Sequence, residues 1–375
     1  MIVDADLEGG NIITLGEAEG GEIALALRPD TNAAFTQWFH FRVRDASGAG
    51  GTLRVMNAGD ATFAEGFRDY QAFASRGGGE WFRAPTAFDG ETLAIEHEPG
   101  RREAHYAYFV PYSSSRRARL VRAARRSPRA RVEHIGTSLL ERAMHLVIVG
   151  EGDDDERRKI WIVGRQHPGE PMGEWFVEGL LGRLLDESDP VARALLERAA
   201  FFVVPCVNPD GSALGNQRTN AAGTDLNRAW AEPSEDEAPE VVAVRDAMFE
   251  AGVDFFLDAH GDERLPYVFA AGCEGNPGYS DRLADLEELF LDSLLARSPE
   301  FQREQGYERD RPGEGDRSTA ANFVGEAFDC LSITLEMPYK HNAVCPDEGG
   351  WSPARATTLG RAALESVLDC AEALR

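Results

Sequence analysis

Residues 159–185 read KIWIVGRQHPGEPMGEWFVEGLLGRLL, and this stretch decides the fold of the larger part of the chain. A largely apolar run, Lys159–Val163, passes through a short turn into Glu174–Leu185, where Val177, Leu180, Leu181, Leu184 and Leu185 recur at helical spacing. Strand, turn and helix in that order form the unit of a layered α/β domain. The strand lacks polar alternation, which predicts a sheet covered on both faces.

The same alternation continues outward from this unit. Met144–Val149, Phe201–Val207, Val253–Leu257 and Leu331–Leu335 are further apolar strands, and Val191–Ala199, Glu240–Glu250, Ser280–Leu295 and Ala354–Leu374 are helical segments. The acidic stretches Gly150–Arg158 and Ala231–Ala238 read as solvated loops. Upstream, Tyr112 to Arg131 holds eight arginines and no acid, a local +8 in a chain of formal charge −25. It reads as a helix ending near Ser127-Pro128, because the residue before a proline is pushed out of the helical region. The stretch is either a solvated helix covering acidic domains or a docking patch for an acidic partner.

Residues 1 to 111 follow a different pattern. Gly21–Leu27, Trp38–Val43, Gly51–Met56, Glu80–Ala84, Thr92–Glu96 and Ala104–Val110 are short alternating runs separated by Gly, Asn and Asp. Runs of that length with turn residues between them predict an all-β sandwich or barrel. The expected organisation is a β-sandwich over 1–112, an arginine-rich linker or helix over 113–131, and an α/β domain over 132–375.

Composition limits what such a chain can do. With 43% hydrophobic and 27% charged residues in 375, it is long enough for two cored domains. The charge of −25 argues against nucleic acid as a partner, since phosphate binding needs clustered positive charge. No run approaches the ~18 apolar residues of a membrane span, and MIVDADLEGGNI lacks the basic-then-apolar form of a secretion leader. Cys206, Cys273, Cys330, Cys345 and Cys370 are scattered without CxxC spacing, so neither a disulfide framework nor a thiolate zinc site is expected. A reducing cytoplasm fits this usage.

The chemistry gathers at strand ends. His167 and Glu170 follow the strand Lys159–Val163 on a turn stiffened by Pro168 and Gly169, the place where open α/β sheets collect ligands. An HxxE pair alone is also an ordinary turn. His260 ends Val253-Asp254-Phe255-Phe256-Leu257-Asp258-Ala259-His260; by itself it reads as a core histidine. Together, two histidines, one glutamate and a position left for water make the donor set of a catalytic zinc hydrolase. No HExxH occurs, which excludes the helical metalloprotease site. Glu336 closes a third apolar strand, where a carboxylate is costly to bury without a role or a partner. It is the candidate general base, with a salt-bridged strand end as the other reading. The segment 208–228 is rich in Asn, Asp and Gly and carries Arg218 and Arg228. An anion-binding frame needs such guanidinium groups, and a plain Asx-turn loop does not.

In their order, HxxE at 167–170, Asn208-Pro209-Asp210-Gly211, the Asn227-Arg228 pair, His260 and the late Glu336 resemble the M14 metallocarboxypeptidase family, from about Ile135 to Arg375. The pattern is most similar to the cytosolic carboxypeptidase branch, which carries a β-sandwich before the catalytic domain. Asp4–Ile12, Trp38–Val43, Phe109–Ser113, Gly215–Arg218 and Gly223–Arg228 carry that resemblance. It implies an antiparallel β-sandwich followed by an α/β/α domain with a mixed sheet. It also implies one zinc ion per chain on His167, Glu170 and His260, with Glu336 as base.

Arg218 would polarise the scissile carbonyl, and Asn227 and Arg228 would bind the terminal carboxylate of a peptide or protein substrate. The tyrosine that caps the terminal residue in digestive members has Tyr307 as its candidate counterpart. The branch acts largely on C-terminal glutamate, and Arg317 is the candidate cation for an acidic end residue, with surface pairing to Asp316 or Glu314 as the alternative. Two other functions remain open. One is an aspartoacylase-like deacylase of N-acyl amino acids, whose members lack the sandwich. The other is an inactive peptide-binding module, for which loss of the base would be the signature.

Overall fold

Short alternating runs become two stacked sheets in the computed structural model, which describes residues 1–17, 22–45, 47–98, 102–152, 156–347 and 349–374. The strands are β1 (Ile2–Asp4), β2 (Ile13–Glu17), β3 (Ile23–Ala26), β4 (His40–Arg44), β5 (Gly51–Val55), β6 (Phe73–Arg76), β7 (Trp81–Arg83), β8 (Thr86–Phe88), β9 (Leu93–His97) and β10 (Glu103–Ala107). They form sheets of order β1-β4-β10-β6-β7 and β2-β3-β5-β9-β8. The inner strands bury their inward positions fully, with Phe41 and Val43 of β4 from one sheet and Leu53, Val55, Leu93 and Ile95 of β5 and β9 from the other, whereas the edge strands β1, β2, β7 and β8 are at most half-buried. Every pairing is antiparallel except β3 with β5. Those two run parallel because the chain between them leaves for β4 in the opposite sheet and returns. Four strands, β1, β2, β6 and β8, are too short or irregular to alternate visibly in sequence. Gly21, in the expected first run, lies outside the described residues.

The second half is built on α1 (Ser114–Arg126), β11 (Ala130–Thr137), β12 (Ala143–Val149), β13 (Arg158–Gly164), α2 (Met172–Leu184), α3 (Pro190–Leu196), β14 (Ala199–Val204), α4 (Pro209–Leu214), α5 (Pro239–Ala251), β15 (Phe255–Asp262), β16 (Phe269–Ala271), α6 (Asp281–Arg297), α7 (Ala320–Phe328), β17 (Leu331–Pro338) and α8 (Pro353–Cys370). The seven strands order as β11-β12-β14-β13-β15-β17-β16. The centre is parallel and the edges antiparallel, so the sheet is mixed. Alternation assigns Ile160 and Ile162 to the face under α2 and α8, and Trp161 and Val163 to the face under α5 and α7. Both faces are covered, as continuous apolar strands require.

Helices α2 and α8 touch backbone to backbone: a Cβ at Gly179 would lie 2.0 Å from the Thr357 carbonyl oxygen, and one at Gly360 2.1 Å from that of Phe176. Helix α1 starts where the Ser113 hydroxyl accepts from the Arg116 N–H and stops at Ser127 before Pro128. Arg116 and Arg117 pair with Glu178 and Glu174 of α2, so part of the arginine run serves packing. Strand β11 begins at Ala130, inside the stretch expected as linker. Of the acidic turn 150–158, residues 153–155 lie outside the described residues. The loop 231–237 is largely exposed.

Candidate metal centre

Parallel register brings the strand ends together. Gly164 of β13 lies opposite Ala259 of β15, and His260 lies opposite Glu336 of β17. Beyond Gly164 the chain turns through Arg165, which holds a left-handed backbone at φ 59°. Two buried bonds secure that turn, from Arg165 Nε to the Pro168 carbonyl and from Nη1 to Glu174 Oε2, each 2.6 Å. A side chain at Gly169 would meet Gln217 Oε1 at 2.3 Å, so the turn closes tightly and delivers Glu170 just ahead of α2.

His167, Glu170 and His260 are all buried, and one donor atom from each lies within 4.8 Å of the others. His167 Nδ1 is 2.7 Å from Glu170 Oε1, His260 Nδ1 is 2.8 Å from Glu170 Oε2, and the two Nδ1 atoms are 3.2 Å apart. Donors about 2.0–2.1 Å from a tetrahedral zinc stand about 3.3 Å from one another, so the set matches that ion in donor type and is drawn together more closely than the ion would hold it. The remaining nitrogens are both engaged: His260 Nε2 with Asp258 Oδ2 at 2.7 Å and His167 Nε2 with Asp225 Oδ1 at 3.0 Å. Carboxylates behind the imidazoles fix which nitrogen faces inward, as metal-binding histidines require. Burial pushes the Glu170 carboxyl up, but the facing histidines outweigh it and hold it well below the usual carboxylate range.

Around these three lies a cavity of about 790 Å³. Glu336 is 6% exposed; its Oε1 accepts from the Tyr307 hydroxyl at 3.1 Å, while its Oε2 is buried with no partner. Burial raises its pKa well above the ordinary value, with His260 opposing and Glu170, Asp262 and Glu263 adding to the rise. Arg218 reaches the cavity with its Nε bonded to Asp225 Oδ2 at 2.6 Å. Asn227 uses Oδ1 to accept from the Ala320 N–H at 2.8 Å. Arg228 is half exposed at the rim and donates to the Asn227 carbonyl at 2.7 Å. Tyr307, 47% exposed, turns its hydroxyl inward and also donates to Asp262 Oδ2 at 2.8 Å.

Arg317 is different: it is exposed and does not line the cavity. It sits ahead of α7 on a turn whose bonds are made by Asp316 and Ser318, so an end-residue pocket built on it lacks a structural basis. The acids Glu274, Glu308 and Asp310 do line the cavity.

Several residues escaped the sequence reading. Asp258, two positions before His260 on the same face of β15, carried a signal in that i, i+2 spacing. Asp225 bridges His167 and Arg218, and Phe35, Thr62 and Phe63 bring the sandwich to the cavity wall. Asp225 lies within the quoted stretch Gly223–Arg228 without a role assigned to it, and nothing local in the sequence marks the other three.

A buried donor set of two histidines and a glutamate, beside an unpaired carboxylate at the carboxyl end of a mixed α/β sheet, defines a metallohydrolase class of site. The family profile described as zinc carboxypeptidase matches residues 118–353, and that described as the cytosolic carboxypeptidase N-terminal domain matches residues 3–109. An uncharacterized protein of Zymomonas mobilis is 41% identical over 373 residues, covering 99% of this chain and 97% of its own. Cytosolic carboxypeptidase 6 of Mus musculus is 25% identical over 368 residues, covering 90% of this chain and 67% of its own. A metallo-carboxypeptidase from Pseudomonas aeruginosa, solved in complex with (2-guanidinoethylmercapto)succinic acid, superimposes with a TM-score of 0.95 at 45% identity and full coverage of both chains. The chain belongs to the M14 zinc carboxypeptidase family, in the branch with the cytosolic carboxypeptidase N-terminal domain, and is a peptidase.

Proposed function

We propose that this peptidase takes one zinc ion on His167, Glu170 and His260 and hydrolyses the C-terminal peptide bond of peptides or proteins in the cytoplasm. The observation that carries the reading is the convergence of those three donors beside the unpaired Glu336 Oε2. Bound there, zinc would supply Lewis acidity to a water molecule and to the scissile carbonyl.

The chain's own groups do the rest. Glu336 takes the proton of the attacking water on Oε2 and returns it to the leaving amine. Arg218, oriented by Asp225, places its guanidinium where negative charge develops on the carbonyl oxygen. Asn227 and Arg228 receive the terminal carboxylate; because Asn227 Oδ1 is spent on Ala320 and its Nδ2 lies 3.5 Å from His260 Nε2, the second Nδ2 hydrogen is the part left for substrate. Tyr307 closes over the end residue from the exposed side.

Free-acid peptides, their C-terminal amides and N-acyl amino acids, assayed with the zinc-loaded protein, test this reading. Release from the free acid alone is expected, and Arg228→Ala should weaken its binding. Equal cleavage of acid and amide removes the carboxylate clamp, and faster turnover of N-acyl amino acids makes the protein a deacylase.

Two end-residue preferences have separate support. Glutamate follows from the resemblance to the cytosolic carboxypeptidase branch, although Arg317 stands off the cavity. A cationic end residue suits the wall of Glu274, Glu308 and Asp310, and the Pseudomonas relative was solved with a guanidino compound. Peptides ending in Glu, Lys, Phe and Ala at fixed ionic strength decide between them.

A further inference from the structure

The loop that carries Arg218 is held by the other domain. Asp30, between β3 and β4 of the sandwich, is 4% exposed. Its Oδ1 accepts from the Gln217 N–H at 2.6 Å, and its Oδ2 accepts from the Arg218 N–H at 2.7 Å, the Thr219 N–H at 2.9 Å and the Thr219 hydroxyl at 3.1 Å. Three consecutive backbone N–H groups thus converge on one carboxylate, as they do around bound anions in backbone nests. A buried carboxylate is costly unless so bonded. An interface that needed only area would be served better by apolar side chains.

The surroundings extend the same grip. Arg28 donates to the Leu214 carbonyl at 3.0 Å, Thr31 N–H to Asn216 Oδ1 at 2.9 Å, and Asn32 to the Ala221 carbonyl at 2.9 Å. The ring of Phe35 lies 5.6 Å from the Arg218 guanidinium carbon. From Gln217 the contacts reach the metal turn, because its carbonyl accepts from the Gly169 N–H at 2.8 Å. The Tyr339 hydroxyl, to which Gln217 donates, in turn donates to the Gly169 carbonyl at 2.6 Å.

We propose that Asp30 is a positioning residue for hydrolysis: it fixes the backbone of 217–219 so that Arg218 meets the scissile carbonyl, making the sandwich a working part of the active site. The proposal rests on the reading of Arg218 given above. In Asp30→Asn one carboxylate oxygen becomes an N–H₂ that faces a backbone donor and cannot accept from it, and the charge is lost, so the anchor of the loop is weakened while side-chain volume is kept.

The test uses the full zinc-loaded chain. Asp30→Asn is expected to lower kcat on a free-acid peptide by about tenfold or more with a much smaller change in KM, since an oxyanion donor acts in the transition state and the terminal carboxylate is bound elsewhere. In an Arg218→Ala background the same substitution is expected to cost about twofold at most, because both changes remove one function. Asn32→Ala, which cuts another interdomain bond away from Arg218, is expected to leave kcat unchanged.

Amide hydrogen exchange supplies a readout independent of activity: Gln217, Arg218 and Thr219 should exchange faster in Asp30→Asn and not in Asn32→Ala. Should Asp30→Asn fail to fold, Asp30→Glu, whose longer arm displaces the loop, is read the same way. Wild-type kcat, an equal loss in the Arg218→Ala background, an equal loss in Asn32→Ala, or unchanged exchange at 217–219 each overturns the proposal. A wild-type protein that cleaves no peptide overturns the functional reading instead, and the exchange result still judges Asp30.

Discussion

Glu336 has one oxygen tied to Tyr307 and one buried with no partner, an expensive state that a structural salt bridge would have relieved. Sequence alone left both readings open, and the side chain's surroundings separate them, since no cation pairs with it among the described residues. Glu336→Gln keeps the shape and removes the basicity, so it is expected to bind zinc as the wild type does and to lose on the order of 10²–10⁴ in kcat. Elemental analysis together with steady-state kinetics checks both halves, and wild-type turnover would move the base elsewhere. His167 and His260 were legible because a strand end is where sequence locates ligands. Arg317 stands at the surface off the cavity, a placement that proximity in the chain to Glu336 could not reveal.

At the level of elements, α5 carries a titratable group that bears on stability rather than chemistry. Glu240, in its first turn, is fully buried; Oε2 accepts from Asn220 at 3.2 Å and Oε1 has no partner. Burial, with Asp210 adding to it, pushes its pKa up to about 6 from 4.5. The folded state therefore holds this proton more tightly than the unfolded one, a contribution that is full below about pH 4.5 and lost as pH rises through about 6. Above that pH the buried charge costs up to about 2 kcal/mol, offset in part by the favourable helix N-terminus. Glu240→Gln retains the Asn220 bond without the charge. It is expected to unfold at higher urea than the wild type at pH 8 and at nearly the same urea at pH 4.5; a difference independent of pH would refute the assignment.

The elements themselves were legible where an apolar run was unbroken, as in β13, or a helical period was sustained, as in α2. Strand β16 and helices α4 and α7 were not seen, because three to nine residues give too few repeats for a period to stand out.

Across the whole molecule, two ligands from the turn between β13 and α2 and one from β15 make metal binding a property of the folded chain. Zinc that binds only the native state adds stability as RT ln(1 + [L]/Kd), about 2.7 kcal/mol at a hundredfold excess over Kd. Dialysis against a chelator is accordingly expected to abolish activity and lower the melting temperature, and one equivalent of zinc per chain should restore both. Activity that survives with no metal by elemental analysis would sink the metal reading.

The sequence by itself separated an all-β half from a layered α/β half and placed His167, Glu170, His260 and Glu336 at strand ends, because periodicity and strand-end placement are local properties written in neighbouring residues; the mixed sheet was an implication of the family resemblance. Only the tertiary structure decided that Asp225 and Asp258 stand behind the histidines, that Arg317 is exposed and off the cavity lining, and that the sandwich reaches the site through Asp30 and Phe35. Asp30 and Arg218 are 188 residues apart, and a contact made across that separation depends on how two cores dock, which no local period encodes.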